Sequence, residues 1–332
     1  MPMHYHDCLI TPQFDNPCHT SVSLQMSDYG VPVGSLHSAF SLLTVCKLAI
    51  KKLQRGRRII KLSVILTLKF DEGMRTMTES PLFNFDTNQV GVTDPHEDPE
   101  IIAETKCLFA FVETADLVTF LRPYHPAEIG TFSCITREFP ILRIAVNGQQ
   151  LTVMQAPLGA PAATQILDYL IGHGVKQIIS MGSCGVLTDH AEGAFLLPMN
   201  ALRDEGTSYH YLPADTTVTL NPVMQQAIET TISQHHETIT RVNTWTTDGY
   251  FRETEKLVDQ YRAAGYQTVE MECAALAACA QFRGVDFGQF FFTADSLAHA
   301  DAYDKRDWGR SARQTALRLG LATLLALPDP LN

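Results

Sequence analysis

The sequence predicts an α/β fold: a single domain with a central mixed β-sheet flanked by helices. Three observations carry that prediction. After residue 100, short apolar β-branched runs alternate with longer segments of helical spacing, as in a sheet covered by helices. Two runs, residues 139–146 and 151–156, are joined by Asn147-Gly148, a strong hairpin signal that makes the sheet mixed rather than purely parallel. Finally, 332 residues with 45% hydrophobic and 18% charged residues are enough for one sizeable core.

The elements follow in order. Residues 108–112 read as a first strand and 115–121 as a short helix. After the hairpin, residues 160–171 have helical spacing, stopped by His173-Gly174. Residues 177–181 form a buried strand by length and branching, and 195–201 and 242–246 read the same way. Thr268 and Val269 end a short strand-like run, and the small apolar residues 273–280 suit a helix packed closely on a sheet. Residues 287–293 make the last strand, and 311–327 a final helix ended by Pro328.

The first 76 residues have another texture. They mix His, Ser, Pro and Gly without a sustained period and carry a basic segment at 47–69. They hold a net charge of +4 and the remainder −15, within a total of −11. A poorly ordered or non-native extension is expected over 1–76, with the catalytic domain at 77–332 and the natural start at Met74 or Met77. His4, His6, Cys8, Cys18 and His19 fit no common zinc spacing, so no metal site is expected. The acidic balance argues against nucleic-acid partners, and no apolar run is long enough to cross a membrane as a helix. Eight cysteines without a CxxC pair, and no visible secretory signal, point to a reduced, cytoplasmic compartment.

In such sheets ligands bind beyond the carboxyl ends of the strands, so chemistry is expected just after each strand. Gly182-Ser183-Cys184-Gly185 reads as a tight turn offering backbone N–H groups and a hydroxyl to an anion or sugar oxygen, or as a plain Gly-Ser turn. Gly159 reads the same way. Glu270 and Glu272 flank Met271 where a strand runs into a helix. They either cap that helix or form a polar pocket floor. Asp295 follows the apolar Phe290-Phe291-Phe292, where burial raises a carboxyl pKa and suits a general acid; capping a following helix is the alternative. Tyr250 and Phe251 are placed to stack on a planar base, or simply to pack in the core.

Residues 105–327 resemble the nucleoside phosphorylases of the uridine phosphorylase and bacterial-type purine nucleoside phosphorylase superfamily, in particular a less-studied bacterial nucleoside phosphorylase branch. The resemblance rests on motifs in the family's order: Arg137-Glu138-Phe139, the Gly159 loop, Gly182-Ser183-Cys184-Gly185, Asp204-Glu205-Gly206-Thr207-Ser208-Tyr209-His210, the Asp248 segment, Glu270-Met271-Glu272 and Asp295. It implies a phosphorylase/hydrolase-like fold and phosphorolysis of a ribonucleoside to free base and ribose 1-phosphate. It also implies inorganic phosphate as co-substrate, no metal or organic cofactor, and a homodimer or trimer of dimers.

On the same resemblance Glu272 grips the ribose hydroxyls and Met271 packs under the sugar. Glu270, Tyr250, Phe251 and His210 contact the substrate, and Gly182, Ser183, Gly159 and Arg137 serve phosphate, Arg137 across a subunit boundary. Asp295 matches the acid that protonates a purine ring nitrogen, which favours purine over uridine. Two of the family's phosphate arginines have no counterpart. Phe111-Val112-Glu113-Thr114-Ala115-Asp116 replaces a Gly-Asp-Pro loop and its arginine, and Ser180 replaces the second. A phosphate-independent nucleosidase and a catalytically weak nucleoside-binding protein are therefore the alternatives.

Overall fold

The computed structural model describes residues 13–14, 20–21, 80–95, 100–299 and 302–330. The chain divides into two compact units, Met1–Thr76 and Met77–Asn332. In the first, Gln13–Phe14 pairs antiparallel with Thr20–Ser21. The basic segment 47–69, Met74, Met77, His4, His6, Cys8, Cys18 and His19 lie outside the described residues.

The second unit is built on one ten-stranded mixed sheet. Its strands are β1 (Lys106–Ala110), β2 (Ala127–Ser133), β3 (Glu138–Val146), β4 (Gln149–Gln155) and β5 (Gln177–Val186). They continue with β6 (Phe195–Asp204), β7 (Thr217–Thr219), β8 (Ile239–Thr247), β9 (Thr268–Glu270) and β10 (Asp286–Ser296). The helices are α1 (Thr114–Leu121), α2 (Ala160–Gly172), α3 (Pro222–Gln234), α4 (Glu255–Ala263), α5 (Cys273–Arg283) and α6 (Arg313–Ala326). The strand order is β9-β8-β6-β10-β5-β1-β4-β3-β2, with β7 on the side of β6.

Asn147 (φ +50°) and Gly148 (φ +81°) form the β3–β4 hairpin, the two left-handed residues that a turn matching the strand twist needs. Two apolar cores fill the faces of the sheet. One lies under α2 and α5, around Phe109, Leu167, Ile178, Leu276 and Phe291. The other lies under α3 and α6, around Leu108, Ile179, Ile228, Phe290 and Leu317.

Five strands, β5, β6, β8, β9 and β10, run past the carboxyl ends of their apolar runs, and that changes the architecture at one end. β5 was expected to stop at Met181, where its ladder with β1 ends. It runs on to Val186 and pairs antiparallel with β9, Val269 opposite Gly185 and Thr268 opposite Val186. That contact closes β5, β10, β6, β8 and β9 into a ring, so this end of the sheet is barrel-like rather than open. Gly182-Ser183-Cys184-Gly185 is consequently strand and not a turn, which corrects the anion-turn expectation. Its glycines serve close approach. A Cβ on Gly182 would stand 2.9 Å from Phe111 Cβ, and one on Gly185 2.9 Å from Leu297 Cδ1. Gly182→Ala is expected to cost about 1–3 kcal/mol by overpacking. A thermal midpoint equal to the wild type's would show that Phe111 yields freely.

Candidate active site

A cavity of about 460 Å³ opens beside the closed ring, walled by β5, β9, the end of β10 and the turn after β8. Gly182, Ser183, Tyr250, Phe251, Glu270, Met271, Glu272 and Asp295 all line it. Sequence-distant strand ends are thus gathered into one concave site.

The Glu270-Met271-Glu272 segment divides its labour. Glu270 Oε2 accepts from the backbone N–H groups of Glu272 (2.8 Å) and Cys273 (2.7 Å), capping α5. Its Oε1 accepts from the hydroxyls of Thr246 (2.6 Å) and Thr244 (3.2 Å) on β8. Both oxygens are used within the chain, so the expectation of two ligand-facing acids is corrected for Glu270: it is a cap and an interstrand brace. Burial still raises its pKa, against the pull of those hydrogen bonds.

Glu272 is only 6% exposed, and its Oε1 accepts from Gly159 N at 2.5 Å. Burial first, and then the neighbouring Glu270, pushes its carboxyl up to about 8. Gly159 starts α2 at φ +93°, ψ 140°, and open space surrounds the position of its missing Cβ, so backbone conformation alone calls for glycine there. Its N–H is engaged by Glu272, which corrects the expectation that it is free for phosphate.

Asp295 lies within the end of β10, not beyond it, and heads no helix, so the helix-cap alternative falls. Burial raises its pKa, while a 2.9 Å hydrogen bond from the Tyr303 hydroxyl to Oδ2 lowers it. Tyr250 and Phe251 sit in a 3₁₀ turn (Tyr250–Arg252), ring centroids 4.9 Å apart and nearly perpendicular, with Phe251 93% exposed at the mouth.

Besides Gly159, whose N–H reaches Glu272 from outside the lining, two expected site residues stand elsewhere. Glu205 Oε2 accepts from Thr207 N (2.6 Å) and Ser208 N (2.9 Å), winding residues 207–210 into a 3₁₀ turn. That turn places His210 in a separate cleft with Asp248, Asp168 and Arg283. Arg137 is exposed and outside the cavity, donating to Gln155 Oε1 (2.7 Å) and Thr114 Oγ1 (3.1 Å).

Sequence reasoning missed Glu253, Gln289, Tyr303 and Trp308. Glu253, Gln289 and Trp308 line the cavity, and a side chamber of about 310 Å³ shares Glu253, Asp295, Tyr250 and Phe251 with it and adds Tyr303. Burial, and then Asp295, pushes the Glu253 carboxyl up to about 8. In the charged run from Arg252 to Lys256 nothing singles Glu253 out; only tertiary burial does. Among the described residues the cavity lining holds four carboxylates (Glu253, Glu270, Glu272 and Asp295) and no Lys, Arg or His.

A mixed α/β sheet with a preformed, carboxylate-rich pocket at its strand ends defines a small-molecule site suited to acid catalysis on a hydroxylated ligand. Comparison with known proteins narrows that class. The model of the phosphorylase superfamily matches residues 110–326, and the chain belongs to that family. It is 26% identical over 153 residues to a guanosine phosphorylase of Halorubrum lacusprofundi, covering 46% of this chain and 64% of that protein. It is likewise 26% identical over 161 residues to a uridine phosphorylase of Haemophilus influenzae, covering 44% and 64%. The chain thus spans a little under two thirds of each of these two relatives.

Among solved structures, purine nucleoside phosphorylase from Toxoplasma gondii superposes with a TM-score of 0.58 at 18% identity, covering 69% of this chain and 92% of that one. AMP nucleosidase from Bacteroides thetaiotaomicron superposes with a TM-score of 0.53 at 24% identity, covering 66% and 86%. These likenesses establish the single-domain mixed α/β fold.

Proposed function

We propose that the protein cleaves the N-glycosidic bond of a purine ribonucleoside by phosphorolysis, giving free base and ribose 1-phosphate. The observation that carries this reading is the shared cavity of Asp295, Glu272 and Met271, an acid, a sugar-gripping carboxylate and an apolar sugar platform. Glu272 accepts hydrogen bonds from the ribose hydroxyls, and Met271 packs beneath the ring. Tyr250 and Phe251 stack on the base while Asp295 protonates a ring nitrogen as the C1′–N bond breaks. The electron pair leaves with the base, the positive charge that develops on the sugar is stabilised by the Glu272 carboxylate, and a phosphate oxygen forms the new C1′–O bond. Neutral pH leaves Glu253 protonated, so it serves the base as a hydrogen-bond donor. A relative named for guanosine agrees with a purine.

Phosphate must find its cations outside the lining of this cavity. Arg137 of a second copy is the candidate, in a homodimer or trimer of dimers. The exposed Leu158 and Phe251 at the cavity mouth support such a cover. No helix among the described residues is long and apolar enough to cross a membrane, and the described cysteines are all free. The only other partners in this reading are small molecules, with no nucleic acid and no cofactor besides phosphate.

A described lining with carboxylates and no cationic side chain supports a second reading, a nucleosidase in which water replaces phosphate. Base release from a nucleoside panel, with phosphate and in phosphate-free buffer, separates the two. Phosphate-dependent cleavage is expected; cleavage indifferent to phosphate makes it a hydrolase, and binding without cleavage a nucleoside-binding protein. The same assay on residues 77–332 alone tests whether 1–76 are dispensable.

Glu253 also sets a pH dependence of stability. Its ordinary value of 4.5 holds in the unfolded chain, against about 8 in the fold. Between those values the unfolded carboxyl ionises while the folded one keeps its proton, so stability is lost as pH rises through that window. Glu253→Gln removes the penalty. At pH 9 its thermal midpoint is expected to rise by roughly 2–4 °C, equivalent to about 1 kcal/mol after allowance for solvent screening. Near pH 4 it should match the wild type. Equal midpoints at both pH values would show that Glu253 is solvated.

A further inference from the structure

Beyond β10 the chain turns back on itself. Ser296 N donates to Asp304 O (2.8 Å) and Asp304 N to Ser296 O (3.1 Å), so residues 302–309 return alongside the strand end that carries Asp295. The returning segment is pinned further along. Arg306 Nη2 donates to the His190 carbonyl (2.8 Å), and Asp307 N donates to Glu192 Oε1 (2.6 Å). Gly309 (φ +67°) lies so close to β10 that a Cβ there would stand 2.6 Å from Phe292 Cδ2. These anchors hold Tyr303 over Asp295.

The two oxygens of Asp295 face different ways. Oδ2 accepts from the Tyr303 hydroxyl at 2.9 Å on the side-chamber wall. Oδ1 points to Gly185 in the main cavity, 3.2 Å from where that residue's Cβ would be. The Tyr303 hydroxyl also lies beside Tyr250, the aromatic placed to stack on the base.

We propose that Tyr303 is the positioning residue for the acid: its hydroxyl occupies Oδ2, so the transferable proton stands on Oδ1, facing the base. This rests on the reading of Asp295 as the proton donor. A carboxylic acid carries its proton on one oxygen, and an O–H donor already placed against the other decides which. The proton then passes from Oδ1 to the ring nitrogen as the C1′–N bond breaks, and Tyr303 keeps its own. Partial desolvation, then the neighbouring Tyr250 and Asp295, raise the Tyr303 pKa, so the phenol remains a donor throughout the working range. A fixed rotamer at the acid is preorganisation, effective without any contact between Tyr303 and the substrate.

Other groups also set the acid's titration. The backbone N–H of Asp295 itself and Arg306, from the returning segment, pull its pKa down, while Glu253 and Tyr250 from the turn after β8 and Cys184 from β5 share the cavity lining with it. Glu255 and His299 line the side chamber. The side chain that hydrogen-bonds the carboxylate is Tyr303. A donor to the ionised form holds the pKa down, so its loss moves the pKa up.

The experiment compares wild type, Tyr303→Phe and Asp295→Asn in the full chain. It reads the pH profile of kcat/KM on a purine nucleoside and the ¹³C-carboxyl titration of Asp295 without substrate. For Tyr303→Phe we expect kcat to fall about tenfold, the scale of one hydrogen bond to a charged group, with KM changed by less than about twofold. The high-pH limb of kcat/KM and the carboxyl midpoint should both move upward. Asp295→Asn inactive, with Tyr303→Phe matching the wild type in rate, limb and midpoint, overturns this inference alone. Asp295→Asn at the wild-type rate overturns the acid reading and this inference with it. A fall in kcat with an unmoved limb and midpoint assigns Tyr303 a purely structural role and also overturns it.

Discussion

Glu272→Gln is expected to lower turnover at least about a hundredfold while leaving the fold intact. The side chain is 6% exposed in the cavity wall, held by the backbone N–H of Gly159. The amide keeps that acceptor and the volume, so α2 and α5 stay docked. What it loses is the negative charge. A carboxylate accepting ribose hydroxyls strengthens those hydrogen bonds as positive charge grows on the sugar, and a neutral amide cannot follow. The loss should therefore appear in kcat more than in KM. The raised Glu272 pKa of about 8 adds a second signature. Wild-type turnover should climb with pH toward that value as the carboxylate forms, and binding a sugar that polarises it pulls the midpoint down. Unchanged kcat in the variant would rule out the sugar-gripping role.

Asp295→Asn is expected to cost purine nucleosides about 10²–10⁴-fold in kcat/KM and pyrimidine nucleosides less. The asymmetry follows from the leaving group. A purine base departs most readily when a ring nitrogen is protonated, and Asp295 is the buried acid at the end of β10 within reach of the stacking turn. Asparagine preserves shape and the Tyr303 contact but carries no acidic proton. Equal losses on both substrate classes would remove the case for ring protonation and leave Asp295 a structural residue.

The expected strands and helices after residue 100 all form, because each writes its own period or turn chemistry into a short stretch of chain. Asn147-Gly148 is the clearest case, two residues that suffice to set a hairpin. Elements that went unread have weak local signals. α4 buries only Val258 and β2 has no fully buried residue, while α3 buries a narrow stripe through Met224, Ile228 and Ile232. Their periodicity is set by thin contacts on one side and is lost among polar residues.

The site shows the same division. Strand ends rich in Gly, Ser and acids marked Ser183, Glu272 and Asp295 as chemical positions, since such residues are costly beside apolar runs without a partner. Which of two neighbouring acids faces a ligand was not legible. Glu270 and Glu272 are two residues apart, yet Thr244, Thr246 and the start of α5 consume the first. Glu253 and Tyr303 become site residues only because the turn after β8 and the segment after β10 meet around Asp295.

The sequence by itself determined the α/β class, the hairpin, the buried central strands and the chemical character of the strand ends, because each depends on interactions among residues close in the chain. Only the tertiary structure decided that β5 outruns β1 to close a ring on β9, that Gly159 is spent on Glu272, and that His210 turns away into another cleft. Those outcomes turn on contacts between residues roughly 40 to 113 positions apart. Their energies come from burial and hydrogen bonds made only once the sheet has assembled, and no local pattern of residue types encodes them.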